Sequence, residues 1–162
     1  MLKLQKNQWI CDTCGEVINA ASEGYVEWIN EEVDGETQCR DFHIVHQKVF
    51  SPRKNEHGCY QHGEELGRSD LPLENFMGGI GIAQLLSFID LGEIIDPDNE
   101  HDPRINNFRE YAEIFRRLHL PFYEEARLYF EMAKKDGFFD GANEIWVYSE
   151  LEEIVKRYGD KV

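Results

Sequence analysis

The amino-acid sequence predicts an α+β chain: a β-rich module over residues 1–62, then a mostly helical, acidic part over residues 63–162. Three observations carry that prediction. Two runs of alternating period flank an Asp34-Gly35 turn, the hydrophobic period changes from two to 3.6 past a loop-like segment, and "CDTCG" closes a tight turn between short strand-like runs. The 162 residues suffice for one compact domain or for a small module leaning on a helical one. Apolar residues at 41% supply a core and exclude global disorder.

Taken in order, "QWI" and "EVI" on either side of Cys11 and Cys14 read as two short strands. "GYVEWINEEV" and "ETQCRDFHIV" then pair around Asp34-Gly35, a dipeptide that accepts the positive φ angles of a two-residue hairpin turn. With Val33 facing Glu36, His46 falls beside Glu23 at the open end and Cys39 beside Asn30 near the turn. Phe42, Ile44 and His46 share one face, and His43 and Val45 the other. "SPRKNEHGCYQHGEELGRSD" fits neither period and reads as a loop. From Leu73 to Leu91 the stripe Leu73, Phe76, Ile80, Ala83, widened by Met77, Leu85, Leu86 and Ile89, predicts a largely buried helix. "DPDNEHDP" breaks it. Three helices follow: "INNFREYAEIFRRLH", with Phe108, Tyr111, Ala112, Phe115 and Leu118 in phase; "PFYEEARLYFEMAKK", started by Pro121 and stopped at Asp136-Gly137; and "SELEEIVKRYG", opened by Ser149 and Glu152 in capping-box spacing. Between the last two, "EIWVY" reads as a short strand.

Seventeen basic against thirty-two acidic residues give a formal charge of -15. Such a chain repels phosphate backbones, which excludes a general nucleic-acid binder. The charge is uneven: residues 1–62 hold six Lys/Arg and ten Asp/Glu, and the remainder eleven and twenty-two. The first part is therefore the better place for an anionic ligand, and the second meets a basic protein or solvent. "MLKLQKNQWI" carries no signal-peptide pattern, and no run approaches the ~20 apolar residues of a membrane span. The expected location is the cytosol, where four cysteines point to metal or packing rather than to disulfides.

A tetrahedral zinc ion needs four soft or borderline donors about 2 Å away, and a C-x-x-C turn supplies two of them. Gly15 after the second cysteine takes the positive φ that such a knuckle asks of its next residue. A redox C-x-x-C would instead open a helix after a βαβ-type strand, which "GEVI" does not suggest. These residues resemble the knuckle of zinc-ribbon and rubredoxin-type proteins, through "CDTCG" and the hairpin behind it. The resemblance spans roughly the first sixty residues and implies a metal and a β-rich module, without an activity. The usual second C-x-x-C is missing, so the other two ligands come from Cys39, His43, His46, His57, Cys59 and His62. Cys39 sits about 24 Å along its strand from His46 at ~3.4 Å per residue, and is assigned to the core or a sheet face. The expected zinc ligands are Cys11, Cys14, His46 and Cys59, with His57, His62 and His43 as the other histidine candidates. Arg53, Lys54 and His57, in the loop between His46 and Cys59, are the expected contacts for an anion or ligand.

The resulting expectation is a structural zinc site in a protein-interaction or adaptor module with a protein partner and no assigned catalytic residue. One alternative is a zinc-dependent hydrolase or ββα-metal-type nuclease using the histidines of segment 43–62, with His43 as base. Another is an acidic mimic of nucleic acid. "DPDNEHD" lacks the glycine and the closing glutamate of a calcium loop and reads as an acidic linker. "GGIG" lacks phosphate-loop spacing and reads as a packing contact.

Overall fold

The computed structural model describes residues 4–141 and 145–159. Strands β1 (Trp9–Ile10) and β2 (Val17–Ile18) pair antiparallel, Trp9 opposite Ile18, so residues 11–16 form the tip of a tight hairpin. Strands β3 (Gly24–Val33) and β4 (Glu36–His46) make the long hairpin, and β5 (Arg68–Pro72) joins the far side of β3. The sheet order is β4-β3-β5, antiparallel throughout. Asp34 and Gly35 take φ 55° and 87°, the mirror-image turn that suits the twist of the strands it joins.

The expected register holds from this turn to Ile29 opposite Arg40, with Cys39 opposite Asn30. Beyond it the pairing slips by one, so that Glu27 faces His43 and Gly24 faces His46; His46 therefore lies beside Gly24 rather than Glu23. The cause is a bulge. Asp41 and Phe42 together oppose Trp28, and Asp41 takes φ 56°. Because of the extra residue, Cys39 and Phe42, three apart, both turn into the core.

β4 is an edge strand, and three of its outward N–H groups are taken up by other segments. Cys39 N donates to the Arg104 carbonyl at 2.6 Å and Phe42 N to Glu110 Oε1 at 2.6 Å. Ile44 N donates to Asp12 Oδ2 at 2.7 Å, and its carbonyl accepts from Asp12 N at 2.9 Å. The inner sheet face carries Val26, Trp28, Phe42 and Ile44, packed with Phe76, Phe88 and Tyr111. Trp28 is the hub, with Phe42, Phe88 and Phe76 at centroid distances of 5.9, 5.3 and 6.3 Å. Residues from both sides of position 62 share this core, which runs from Trp9 to Leu118.

The predicted helix over 73–91 is divided. A 3-10 turn (Leu73–Phe76) precedes helix α1 (Gly78–Leu86), and Gly78 at φ 58° makes the break. The expected stripe is split with it: Leu73, Phe76 and Leu85 are buried, whereas Ile80 and Ala83 face solvent. Helix α2 (Phe108–His119) starts at Asn107, whose side chain accepts from Glu110 N, and buries Tyr111, Ile114 and Leu118. "PFYEEARLYFEMAKK" yields α3 (Tyr123–Ala126) and α4 (Phe130–Lys135) joined by a 3-10 turn, in place of one helix. It stops where expected, with Gly137 at φ 72° and Phe138 N returning to the Ala133 carbonyl. Helix α5 (Tyr148–Gly159) begins one residue before Ser149, which places Ser149 inside its first turn, and Glu152 pairs with Lys156. Of "EIWVY", Glu144 lies outside the described residues and Ile145–Val147 form no strand. Helices α3, α4 and α5 close a second core around Tyr123, Ala126, Tyr129, Leu151, Ile154 and Tyr158. Among the described residues no helix is long and apolar enough to cross a membrane.

Candidate metal centre

Three segments converge at the open end of the long hairpin. The knuckle between β1 and β2 presents Cys11 and Cys14, β4 ends on His46, and the loop beyond it returns Cys59. Their ligand atoms all lie within 4.8 Å of one another, and Cys11, His46 and Cys59 are buried. These four residues could hold a metal ion, and they are the four that the sequence reading selects as ligands.

Local conformation explains each placement. Cys11 N donates to the Glu16 carbonyl and Gly15 N to the Cys11 carbonyl, both at 3.0 Å, which curls the knuckle. Gly15 takes φ 75°, as the spacing requires. Gly58, at φ 60°, passes so close to Ser51 that a Cβ there would come within 3.2 Å of the serine side chain, and this turn delivers Cys59. Buried Ser51 then sets its Oγ 3.1 Å from Cys59 Sγ, placed to donate to a thiolate.

His46 Nδ1 lies 3.5 Å from Cys14 Sγ and 3.9 Å from Cys59 Sγ. With metal–sulfur and metal–nitrogen bonds of about 2.3 and 2.0 Å, a tetrahedron has N···S edges of roughly 3.5 Å, which the Cys14 distance matches and the Cys59 distance exceeds. The other ring nitrogen, Nε2, is 3.2 Å from the Val17 carbonyl. A proton on Nε2 donated there leaves Nδ1 with its lone pair aimed at the sulfurs, the tautomer that a ligand needs. Burial pushes the Cys11 thiol up, and the Cys14 thiol up to about 12. Unaided, these sulfurs stay protonated at neutral pH, so they are poor nucleophiles, and a divalent cation supplies the charge that stabilises their thiolates.

The other predicted residues sit around this centre. Arg53 Nη2 donates to the Thr13 carbonyl at 2.9 Å, Lys54 Nζ to the Ser51 carbonyl at 3.4 Å, and the His57 ring packs beside Gly63. Thr13 Oγ1 in turn donates to the Cys59 carbonyl, so the loop is laced to the knuckle by protein contacts as well. His62 Nε2 lies 2.9 Å from the Asp41 carbonyl and its ring 5.4 Å from that of His43. Among the described residues His43, His57 and His62 build no second cluster of three donor atoms. Cys39 is buried in the core, its Sγ 3.1 Å from Asn30 Oδ1.

Sequence reasoning missed the network that braces the knuckle from behind. Arg117, on the buried face of α2, donates through Nη1 to both oxygens of Asp12 at 2.8 Å, and through Nη2 to the Ile10 carbonyl at 3.0 Å. Its Nε and Nη2 reach the Glu124 carboxylate at 2.8 and 3.0 Å. Arg127 donates twice to the same carboxylate, at 2.6 and 3.0 Å, and Ile10 N donates to it at 3.0 Å. Two guanidinium and two carboxylate groups thus balance, Arg117 and Glu124 buried and Asp12 and Arg127 partly open to solvent. One residue on each side of Cys11 is held by this cluster. The available signal was Arg117 itself, a charge in phase with the apolar stripe Ile114–Leu118.

No protein-family model, curated protein or solved structure matches the chain.

Proposed function

We propose that the protein is a zinc-stapled binding module, in which the metal is structural and action consists of recognising a protein partner, in the cytosol. The observation that carries this is the donor set. Three cysteines and one histidine converge within 4.8 Å, a composition that suits tetrahedral zinc and fills all four positions with protein atoms. A closed site has no place for a substrate or an activated water. What it contributes is folding energy, by joining the knuckle, the end of β4 and the 51–59 loop.

Elemental analysis of protein purified without added metal tests the reading. The expected result is one zinc per chain, lost in Cys11→Ser and Cys59→Ser together with the fold of the β module. Well-folded protein free of metal would overturn it. The cobalt-substituted protein separates a structural from a hydrolytic site: thiolate-rich four-coordinate spectra unmoved by added anions support the closed site, and anion-sensitive bands support an open one.

A further inference from the structure

Helix α1 and the turn beyond it display apolar side chains that the core does not use. The helix, GGIGIAQLL, holds no charged residue, and only Gly81 and Leu85 of it are buried. Ile80, Ile82 and Leu86 are 77%, 41% and 51% exposed, and Ile94 and Ile95, across the turn, 94% and 73%. Ala83, Leu86, Leu91 and Ile95 line one shallow groove of about 360 Å³. Single exposed isoleucines are ordinary, but exposed Leu86 and Ile95 meeting in one groove with Ala83 and Leu91 mark an interaction site.

Its electrostatic frame selects the occupant. Between Arg68 and Arg104 the chain contains no Lys or Arg, and it contains eight acids: Asp70, Glu74, Asp90, Glu93, Asp96, Asp98, Glu100 and Asp102. Asp90 lines the groove itself, and Glu93 adjoins Ile94. Asp96 is turned inward, accepting from Glu100 N and His101 N, while Asp90, Glu93, Asp98, Glu100 and Asp102 are exposed. A second copy seated on this face would oppose acids to acids, and an anionic membrane surface would be repelled in the same way. We infer that the groove of α1 and the following turn docks a basic amphipathic helix of a partner protein, with aliphatic anchors between Ala83, Leu86 and Ile95 and Lys or Arg toward the surrounding carboxylates. This inference rests on the binding-module reading above and gives that module its surface and the chemistry of its partner.

The probe is a fluorescent amphipathic peptide of about 18 residues, built of Leu and Lys at helical spacing, titrated by anisotropy into the metal-loaded full chain at about 0.15 M ionic strength. A peptide of identical composition in scrambled order, unable to form an apolar stripe, is the control. The expected result is tighter binding of the amphipathic peptide by about tenfold, with hydrogen-exchange protection gathered over residues 80–95. Leu86→Gln/Ile95→Gln, at exposed positions, weakens it about tenfold at unchanged metal content, and Asp90→Asn/Glu93→Gln weakens it and flattens its salt dependence. Equal binding of both peptides, protection elsewhere, or no effect of the Leu86/Ile95 variant would overturn the inference. So would a concentration-dependent dimer that the same variant abolishes, since a second copy would then own the face. Absence of metal from folded protein bears on the zinc reading alone, and absence of peptide binding to zinc-loaded protein on the docking reading alone.

Discussion

Arg117→Met tests whether the helices brace the knuckle. The substitution keeps the aliphatic length of the side chain and removes all five hydrogen bonds of the guanidinium. Glu124 would retain Arg127 and Ile10 N, whereas Asp12, whose side chain is only 19% exposed, would keep the hydrogen bond from Ile44 N and His43 Nδ1 at 4.0 Å. Removing one member of a buried ion pair costs 3–5 kcal/mol, and the surviving Arg127 places the expected loss at the lower end, about 3 kcal/mol, or roughly a hundredfold in the folding constant. Arg117→Lys should recover less than half of it, because one ammonium cannot serve two carboxylates with a planar fork. Arg127→Met, at a more open position, should cost about 1 kcal/mol. Urea unfolding followed by tryptophan fluorescence reads this at the right place, since Trp9 Nε1 donates to the Arg117 carbonyl. The pH dependence gives a second readout. Burial alone would raise the Glu124 carboxyl, but Arg117 and Arg127 outweigh it and hold it below the usual range. The folded chain therefore binds fewer protons there than the unfolded one. Glu124's contribution is complete above the unfolded value of about 4.3 and disappears as pH falls through the folded value. Arg117→Met should shrink that acid-sensitive share. A loss below about 1 kcal/mol, with the acid limb unchanged, would refute the bracing argument.

Cys39→Ala should leave one metal per chain, because Cys39 belongs to the aromatic core; lost metal in an otherwise folded variant would reassign the ligands. Glu27 is fully buried on β3, with Oε1 accepting from Gln61 N, and burial pushes its carboxyl up. Its folded form thus holds a proton longer than the unfolded one, and stability is lost as pH rises through the folded value. Glu27→Gln should raise stability above that value by on the order of 1 kcal/mol and change little near pH 4; melting temperatures across pH decide it. Gly81→Ala should cost about 2 kcal/mol despite alanine's better helix propensity, because its Cβ would come within 1.9 Å of the Phe76 carbonyl group. A stabilised variant in urea unfolding would show that α1 can move off that turn.

The Cys/His cluster was legible because its signals are local and chemical: two cysteines in a knuckle, a glycine behind them, a histidine at a strand end and a cysteine at the close of a loop. The α+β class was legible from the change of period. Register was legible only as far as the pairing remained regular, and the bulge at Asp41 and Phe42 leaves no mark in alternation, because Phe42, Ile44 and Val45 are all apolar. α1 was misread for a related reason. Its apolar residues fall on every side of the helix, so periodicity points equally to burial and to display, and only tertiary contacts separate Leu85 from Leu86. The Arg117 cluster was hidden because its members, Asp12, Arg117, Glu124 and Arg127, are ordinary charges until three segments meet.

The ordering of these segments along the chain sets a schedule for biosynthesis. All four donor residues are made by position 59, whereas the groups that close the β4 edge and hold the knuckle, Arg104, Glu110 and Arg117, come roughly fifty residues later. At a synthesis rate of about 5–20 residues per second, the thiols and an unpaired strand edge stand open together for some seconds. Metal captured in that interval would fasten the hairpin before its brace exists. A nascent chain starved of metal would present both hazards at once, oxidisable sulfur and a free edge for another strand.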